Sequence, residues 1–473
     1  METKNKNIDL NRAKVFGVVG IGLISLVLGL FFSAQAGLLT LIGAWLSYLI
    51  WRYPKQGFYC LLFFAPILPI LKSTQILSII SPLKDVTIFV LLIRTTILPI
   101  IKKEDPYRKN PFVIPLLLII VWSFVALLVS NNHVLGILRF RDIILYIPLL
   151  WIARAIVSNK EEFVNFIKVV FSGLVFVLGL AAIQIFFFES SATLRFEPGK
   201  NVWIPRASSV LSHPNILASY LICMTPIVFS FLLNTRVGVL KKSFLAVISF
   251  LSLTFIYLTY SRSGWIGIAA SLIVLAVLYV CRKGRKYSFA VSIIGLIVVI
   301  TVLAIPRSRT LLLTVVDPTY GSNQDRIGIV TDLLASVSNK DVFVGKGLGD
   351  IYLATGRTVS ISVENIAAAN VDDIRNAKDE TFVDNAVLKT WIETGLIGLL
   401  LVIWMLWNAL KYGWEVSKNS FIFSKIFSNG FMASTAGLIV LSFFLDVPEV
   451  FPVMLFWWTF AGVLESLPFM ETQ

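Results

Sequence analysis

Three arginines stand in places where a positive charge could do chemistry. Arg206 is followed by Ala207-Ser208-Ser209-Val210-Leu211-Ser212-His213-Pro214-Asn215, a polar patch at the start of an apolar run. Arg262 lies in the short link Tyr260-Ser261-Arg262-Ser263-Gly264, between two long apolar runs. Arg326 heads a stretch with apolar residues at Ile327, Val330, Leu333, Leu334 and Val337, a helical and one-sided spacing. A guanidinium donates two parallel charge-assisted hydrogen bonds and stays charged at any working pH, which suits a diphosphate. Three of them, drawn from separate segments, can hold a diphosphate leaving group without a metal.

Each of these residues also has a plainer reading. An arginine at the centre of a bilayer costs about 2.5–3.5 kcal/mol on insertion scales, and less near the edge. Arg262 either snorkels to headgroups or binds an anion, with Tyr260, Ser261 and Ser263 adding hydroxyls. Pro214 inside a helical pattern implies a break that turns backbone groups toward a cavity. His213 and Asn215 then either line that cavity or serve the helix entry. Carboxylates cluster at Asp379-Glu380-Thr381-Phe382-Val383-Asp384-Asn385. Asp384 fits a helix N-cap, and equally a general base or a ligand for an acceptor sugar. Glu393, further into the same apolar run, requires a partner. No Asp-x-Asp cluster stands nearby to hold magnesium, and two histidines are too few for a histidine-built metal site.

The elements that must position these residues are membrane helices. The 473 residues are 57% hydrophobic and only 14% charged, against about 25% charged in a soluble protein. The net charge of +14 reflects basic loops facing the cytoplasm rather than nucleic-acid binding. Cys60, Cys223 and Cys281 lie in or beside apolar runs and read as small buried hydrophobes. The run from Val15 to Phe32 is too long for a cleaved signal core, so it reads as an uncleaved first span. With about 20 apolar residues per span, helices are expected near 15–35, 37–51, 57–71, 83–101, 111–130, 139–156, 164–188, 210–233, 243–260, 264–281, 287–305, 386–411, 426–445 and 449–467. Three of these are short or interrupted by Pro66, Pro69 or Pro148, so the expectation is 12–14 transmembrane helices.

Lys and Arg fall on alternate connections, which puts both termini in the cytoplasm and the 306–385 loop outside. The layout is an all-α polytopic membrane protein in three parts: helices over 1–305, an extracytoplasmic loop over 306–385 carrying short amphipathic helices, and C-terminal helices over 386–473. The loop is not a cationic coat: eight Lys and Arg face ten Asp and Glu between Pro306 and Val383. The membrane interior reads as nearly free of charge.

Five motifs in order resemble the O-antigen ligase and O-antigen polymerase superfamily of bacterial membrane glycosyltransferases. They are Arg206 with His213-Pro214-Asn215, Thr259-Tyr260-Ser261-Arg262-Ser263-Gly264, Arg326, Gly345-Lys346-Gly347-Leu348-Gly349, and Asp384-Asn385 through Glu393-Thr394-Gly395-Leu396-Ile397-Gly398. The likeness covers roughly residues 200–400. It implies a GT-C-like fold and an inverting, metal-independent glycosyl transfer with no cofactor, at the outer face of the cytoplasmic (inner) membrane. It further implies a donor glycan on undecaprenyl diphosphate, membrane lipid around the chain, and work beside a flippase and a chain-length regulator. Arg206 and Arg262 match the family's diphosphate-binding positions, and Asp384 stands where the family's ligases carry a catalytic histidine. That difference favours a polymerase of lipid-linked repeat units over a ligase to a lipid or protein acceptor. Arg206, Arg262 and Asp384 are the expected catalytic residues. Arg326, His213, Asn215, Tyr260, Asn385 and Glu380 are the expected substrate contacts. A small-solute transporter is the rival from another class; it requires ionisable residues near mid-membrane.

Overall fold

The computed structural model describes residues 34–69, 81–101, 111–188, 193–197, 202–211, 213–233, 238–283, 321–351, 385–419 and 421–471. The chain divides into two compact units, Met1–Pro106 and Tyr107–Gln473. The expected spans near 15–35 and 287–305 fall wholly or almost wholly outside the described residues.

In the first unit, α1 (Ala34–Arg52) and α2 (Pro54–Phe64) are separated by Tyr53 alone. Pro54 takes the first helical position of α2, where a missing N–H costs nothing. The helix expected over 57–71 is regular only as far as Phe64. α3 (Ser81–Leu92) continues through a π-helical turn at Ile93–Ile97 into Leu98–Ile101. Pro99 lies just past that turn and cannot donate to the Thr95 carbonyl, as a regular helix would require there.

The second unit holds the remaining elements. α4 (Val113–Val129) leads to α5 (His133–Ile144) and α6 (Leu149–Ile156). The single span expected over 139–156 is therefore two short helices, parted beside Pro148, which cannot continue the ladder of N–H donors. α7 (Lys160–Phe187) is followed by an antiparallel hairpin, β1 (Thr193–Glu197) and β2 (Val202–Arg206). Pro205 argues against a strand from sequence, yet it sits one residue from the end of an edge strand, which tolerates proline. Then come α8 (Pro214–Leu232), α9 (Val239–Leu258), α10 (Arg262–Lys283), α11 (Gly321–Ala335) and α12 (Asp341–Val344). α13 (Ala386–Val416), α14 (Ile422–Ser442) and α15 (Val453–Ser466) complete the chain. Pro214 is the first residue of α8, so the break expected there is a helix start.

Among the described residues, six helices are long and apolar enough to cross a membrane. Apart from the hairpin, the chain is an all-α polytopic membrane protein. α8 is buried along almost its whole length and packs against α14. Small residues make that close approach possible. A Cβ on Gly430 would come within 2.6 Å of Ile227 Cα, and Ser434 Oγ donates to the Cys223 carbonyl at 2.7 Å. Of the three cysteines only Cys223 is buried; Cys60 and Cys281 are exposed.

The expectation of a nearly uncharged interior is corrected. Arg139 Nε meets Glu393 Oε2 at 2.8 Å, Arg154 Nη1 meets Glu465 Oε2 at 3.2 Å, and Lys389 Nζ meets Asp446 Oδ2 at 2.8 Å. All six side chains are buried. The partners are far apart in sequence, so a scan of single spans sees scattered charges rather than neutral pairs.

Candidate functional site

α9 runs to Leu258, and only Thr259, Tyr260 and Ser261 separate it from α10. So tight a reversal forces Tyr260 to a φ of 49°, a strained value for a residue with a Cβ. The surroundings hold it there. Tyr260 N–H donates to the Tyr257 carbonyl, Ser261 N–H to Thr259 Oγ1, and Gly264 N–H to Ser261 Oγ. Ser261 therefore caps α10. The Tyr257 ring lies flat on Trp265, with centroids 5.5 Å apart, and closes the corner from the side. Arg262 is the first residue of α10 and is half-buried.

Strand β2 delivers Arg206 to this corner. Ala207 N–H donates to the Leu258 carbonyl at 3.0 Å. Arg206 Nε donates to the Thr259 carbonyl at 2.7 Å, and Nη2 to Asn215 Oδ1 at 3.2 Å. The guanidinium is thus tied to both of the helix ends that meet there. Asn215 stands in the first turn of α8, whose N-cap is His213: the imidazole Nδ1 accepts from Asn215 N–H at 3.1 Å. His213 keeps solvent exposure, but partial desolvation of the ring and the charge of Arg206 lower its pKa to about 4. It is neutral at working pH, as an acceptor at Nδ1 must be. The structure brings Arg206, His213, Asn215, Tyr260 and Arg262 to one corner.

The other expected residues belong to a second region. Asn385, not Asp384, caps α13: its Oδ1 accepts from Leu388 N–H at 2.9 Å, and its backbone is extended at φ −157°, ψ 98°. Asp384 and Glu380 lie outside the described residues, as does Asp379. α11 starts at Gly321, so Arg326 is in its second turn rather than its first. The helix is one-sided, but its packed side is Ile329 and Leu333, which with Val337 just past its end are set against Leu135, Ile392 and Ile351. Ile327 and Leu334 are exposed.

Gly395 breaks α13 with φ 67°, ψ −175°. The break turns carbonyls out of the helix, and other segments accept the task of pairing them. Lys346 N–H donates to Ile392 O, Gly347 N–H to Glu393 O, and the Trp122 indole to Thr394 O. Gly349 N–H donates to Glu393 Oε1 at 3.2 Å, on the carboxylate that holds Arg139. Leu348 N–H donates to Ala126 O. Asp350 accepts from the backbone N–H groups of Asn131 and Asn132. The turn Gly345–Gly349 therefore uses its N–H groups to dock, not to cradle an anion. Gly345, Gly347 and Gly349 all have positive φ. At Gly345 a Cβ would come within 2.5 Å of the Glu393 carbonyl oxygen.

Gln184 escapes the sequence reading although a signal is present: it is the one polar side chain between Gly173 and Phe187 in α7. Its Oε1 accepts from Ser208 and Ser209 N–H, just downstream of Arg206.

Residues 247–403, about a third of the chain, match the Wzy_C family model, described as O-Antigen ligase. Over these residues the chain is similar to the O-antigen ligase family. The match spans the second half of α9, all of α10, α11 and α12, and the first half of α13. No curated protein matches the chain.

Proposed function

We propose that the chain is a glycosyltransferase that polymerises undecaprenyl-diphosphate-linked oligosaccharide repeat units into polysaccharide. The reaction is inverting and metal-independent, at the outer face of the cytoplasmic membrane, with both termini inside. The observation that carries this reading is the fixed position of the Arg206 guanidinium. It is bonded to the Thr259 carbonyl and to Asn215, with Arg262 three residues beyond Thr259.

The acceptor hydroxyl oxygen attacks the anomeric carbon from the face opposite the diphosphate. The new glycosidic bond forms as the bond to the diphosphate oxygen breaks. Arg206 and Arg262 stabilise the charge that grows on the departing diphosphate, where prearranged donors are most effective. A carboxylate of the 379–384 segment, Asp384 first among them, takes the hydroxyl proton. Asn385, His213, Tyr260, Arg326 and Glu380 are the proposed contacts to the glycan chains. A chain-length regulator and a flippase are the proposed partners.

The description of the matching family, O-Antigen ligase, favours a second reading: transfer of the finished glycan to a lipid or protein acceptor. Purified protein given a defined lipid-linked oligosaccharide, with a chelator present, separates the readings. Lengthened glycan on lipid supports the polymerase. Glycan moved only to an added acceptor supports the ligase. Absence of turnover overturns both and returns attention to transport. Arg206→Ala and Arg262→Ala are each expected to abolish product while the protein still purifies folded.

A further inference from the structure

Gln184 is half-buried in an apolar stretch of α7, where an amide side chain is unfavourable unless its donors and acceptor are matched. Those of Gln184 are engaged, and all its named partners lie in one place. Oε1 accepts from Ser208 N–H at 3.0 Å and from Ser209 N–H at 2.7 Å, and Nε2 donates to Ser208 Oγ at 3.0 Å. Ser209 Oγ then donates to the Val177 carbonyl, also on α7, at 2.8 Å. Ser209 has a φ of 55°, a strained conformation that persists only where neighbours over-determine it. Upstream, Ala207 N–H is held by the Leu258 carbonyl. Arg206 is the next residue back. Its side-chain bonds fix where the guanidinium rests, and the grip on 208–209 fixes where its backbone stands.

We propose that Gln184 is a positioning residue for Arg206: α7 sets the reach of the guanidinium through the 207–209 turn. The proposal rests on the reading that Arg206 binds the diphosphate of a lipid-linked donor. A displacement of about 1 Å at such a group can cost about a hundredfold in rate. Gln184→Leu keeps bulk and removes every hydrogen bond. It is expected to lower turnover of the lipid-linked oligosaccharide by about 10- to 100-fold, with melting temperature and gel-filtration profile in detergent close to those of the unaltered protein. Gln184→Glu keeps two acceptor oxygens, and the Ser208 hydroxyl can turn to donate to them, so it is expected to recover most of the loss. In an Arg206→Lys background, Gln184→Leu is expected to add little, because the two residues act through one group.

Full turnover by Gln184→Leu beside an impaired Arg206→Ala overturns the positioning role and leaves the glycosyl-transfer reading standing. Full turnover by Arg206→Ala overturns that reading itself. Equal losses in Gln184→Leu and Gln184→Glu, or an equal factor in both arginine and lysine backgrounds, reduce Gln184 to helix packing and overturn the proposal. If Gln184→Leu does not purify folded, Gln184→Asn, one methylene shorter, takes its place with the same expectations.

Discussion

Arg206 illustrates how much the shape of a cation matters. Its Nε and Nη2 hold two oxygens that lie on different helices. Lysine offers a point charge without the fork. Arg206→Lys is therefore expected to lower kcat/KM by about tenfold or more, since a hydrogen bond to a charged group contributes about 1.5–3 kcal/mol. Steady-state kinetics on the lipid-linked donor checks this. His213 gives a pH prediction. Its pKa falls from the ordinary 6.5 to about 4 on folding. The folded state thus binds this proton less readily than the unfolded state. The stabilisation is complete above about pH 6.5 and is lost as pH falls toward about 4. His213→Asn supplies a cap oxygen that does not titrate. Its melting temperature is expected to fall less steeply between those pH values. Arg206, Arg262 and His213 were legible as candidates because a charged or polar side chain beside an apolar run is costly and conspicuous. The cap at Asn385 was not, because Asp384 and Asn385 are both good caps and only backbone geometry chooses between them.

At the scale of elements, the break in α13 and the glycine turn that fits into it form one joint. A Cβ on Gly395 would collide with the Phe343 carbonyl. Gly395→Ala is expected to destabilise the protein by at least about 1–3 kcal/mol from backbone strain alone, read as a fall in melting temperature. Glu393 links α5, the turn and α13 through one carboxylate and its own carbonyl. Glu393→Ala leaves Arg139 buried without this counter-charge and is expected to cost about 3–5 kcal/mol; replacing both by apolar residues is expected to be far milder. Thermal unfolding of the single and double variants checks this. The sequence showed that Glu393 needs a partner, but not which one, because Arg139 lies 254 residues away. The helix over 321–335 was legible from its spacing. Its packed side is not legible from spacing, because apolar Ile327 and Leu334 face outward while Ile329 packs inward.

At the scale of the molecule, hydropathy reveals most of the helices, since each must be apolar over its own length. It could not reveal which helices touch, because small residues on α14 and paired charges on α5, α6, α13 and α15 act between distant segments. The proposed orientation is testable by itself. Single cysteines placed at the exposed positions His133, Val134 and Pro448 are expected to react with an impermeant maleimide in intact cells, and cysteines at 282–286 only after lysis. The joint at Gly395 also bears on how such a chain could change its specificity. Asp350 and the Asn385 cap are two anchored points, one before and one after residues 352–384 in sequence. The entropy of closing a loop rises only slowly with its length. A cassette exchanged between those two anchors is expected to vary in sequence and size with little change in melting temperature. Chimeras cut at 351 and 385 would then transplant acceptor choice while leaving the arginine corner untouched.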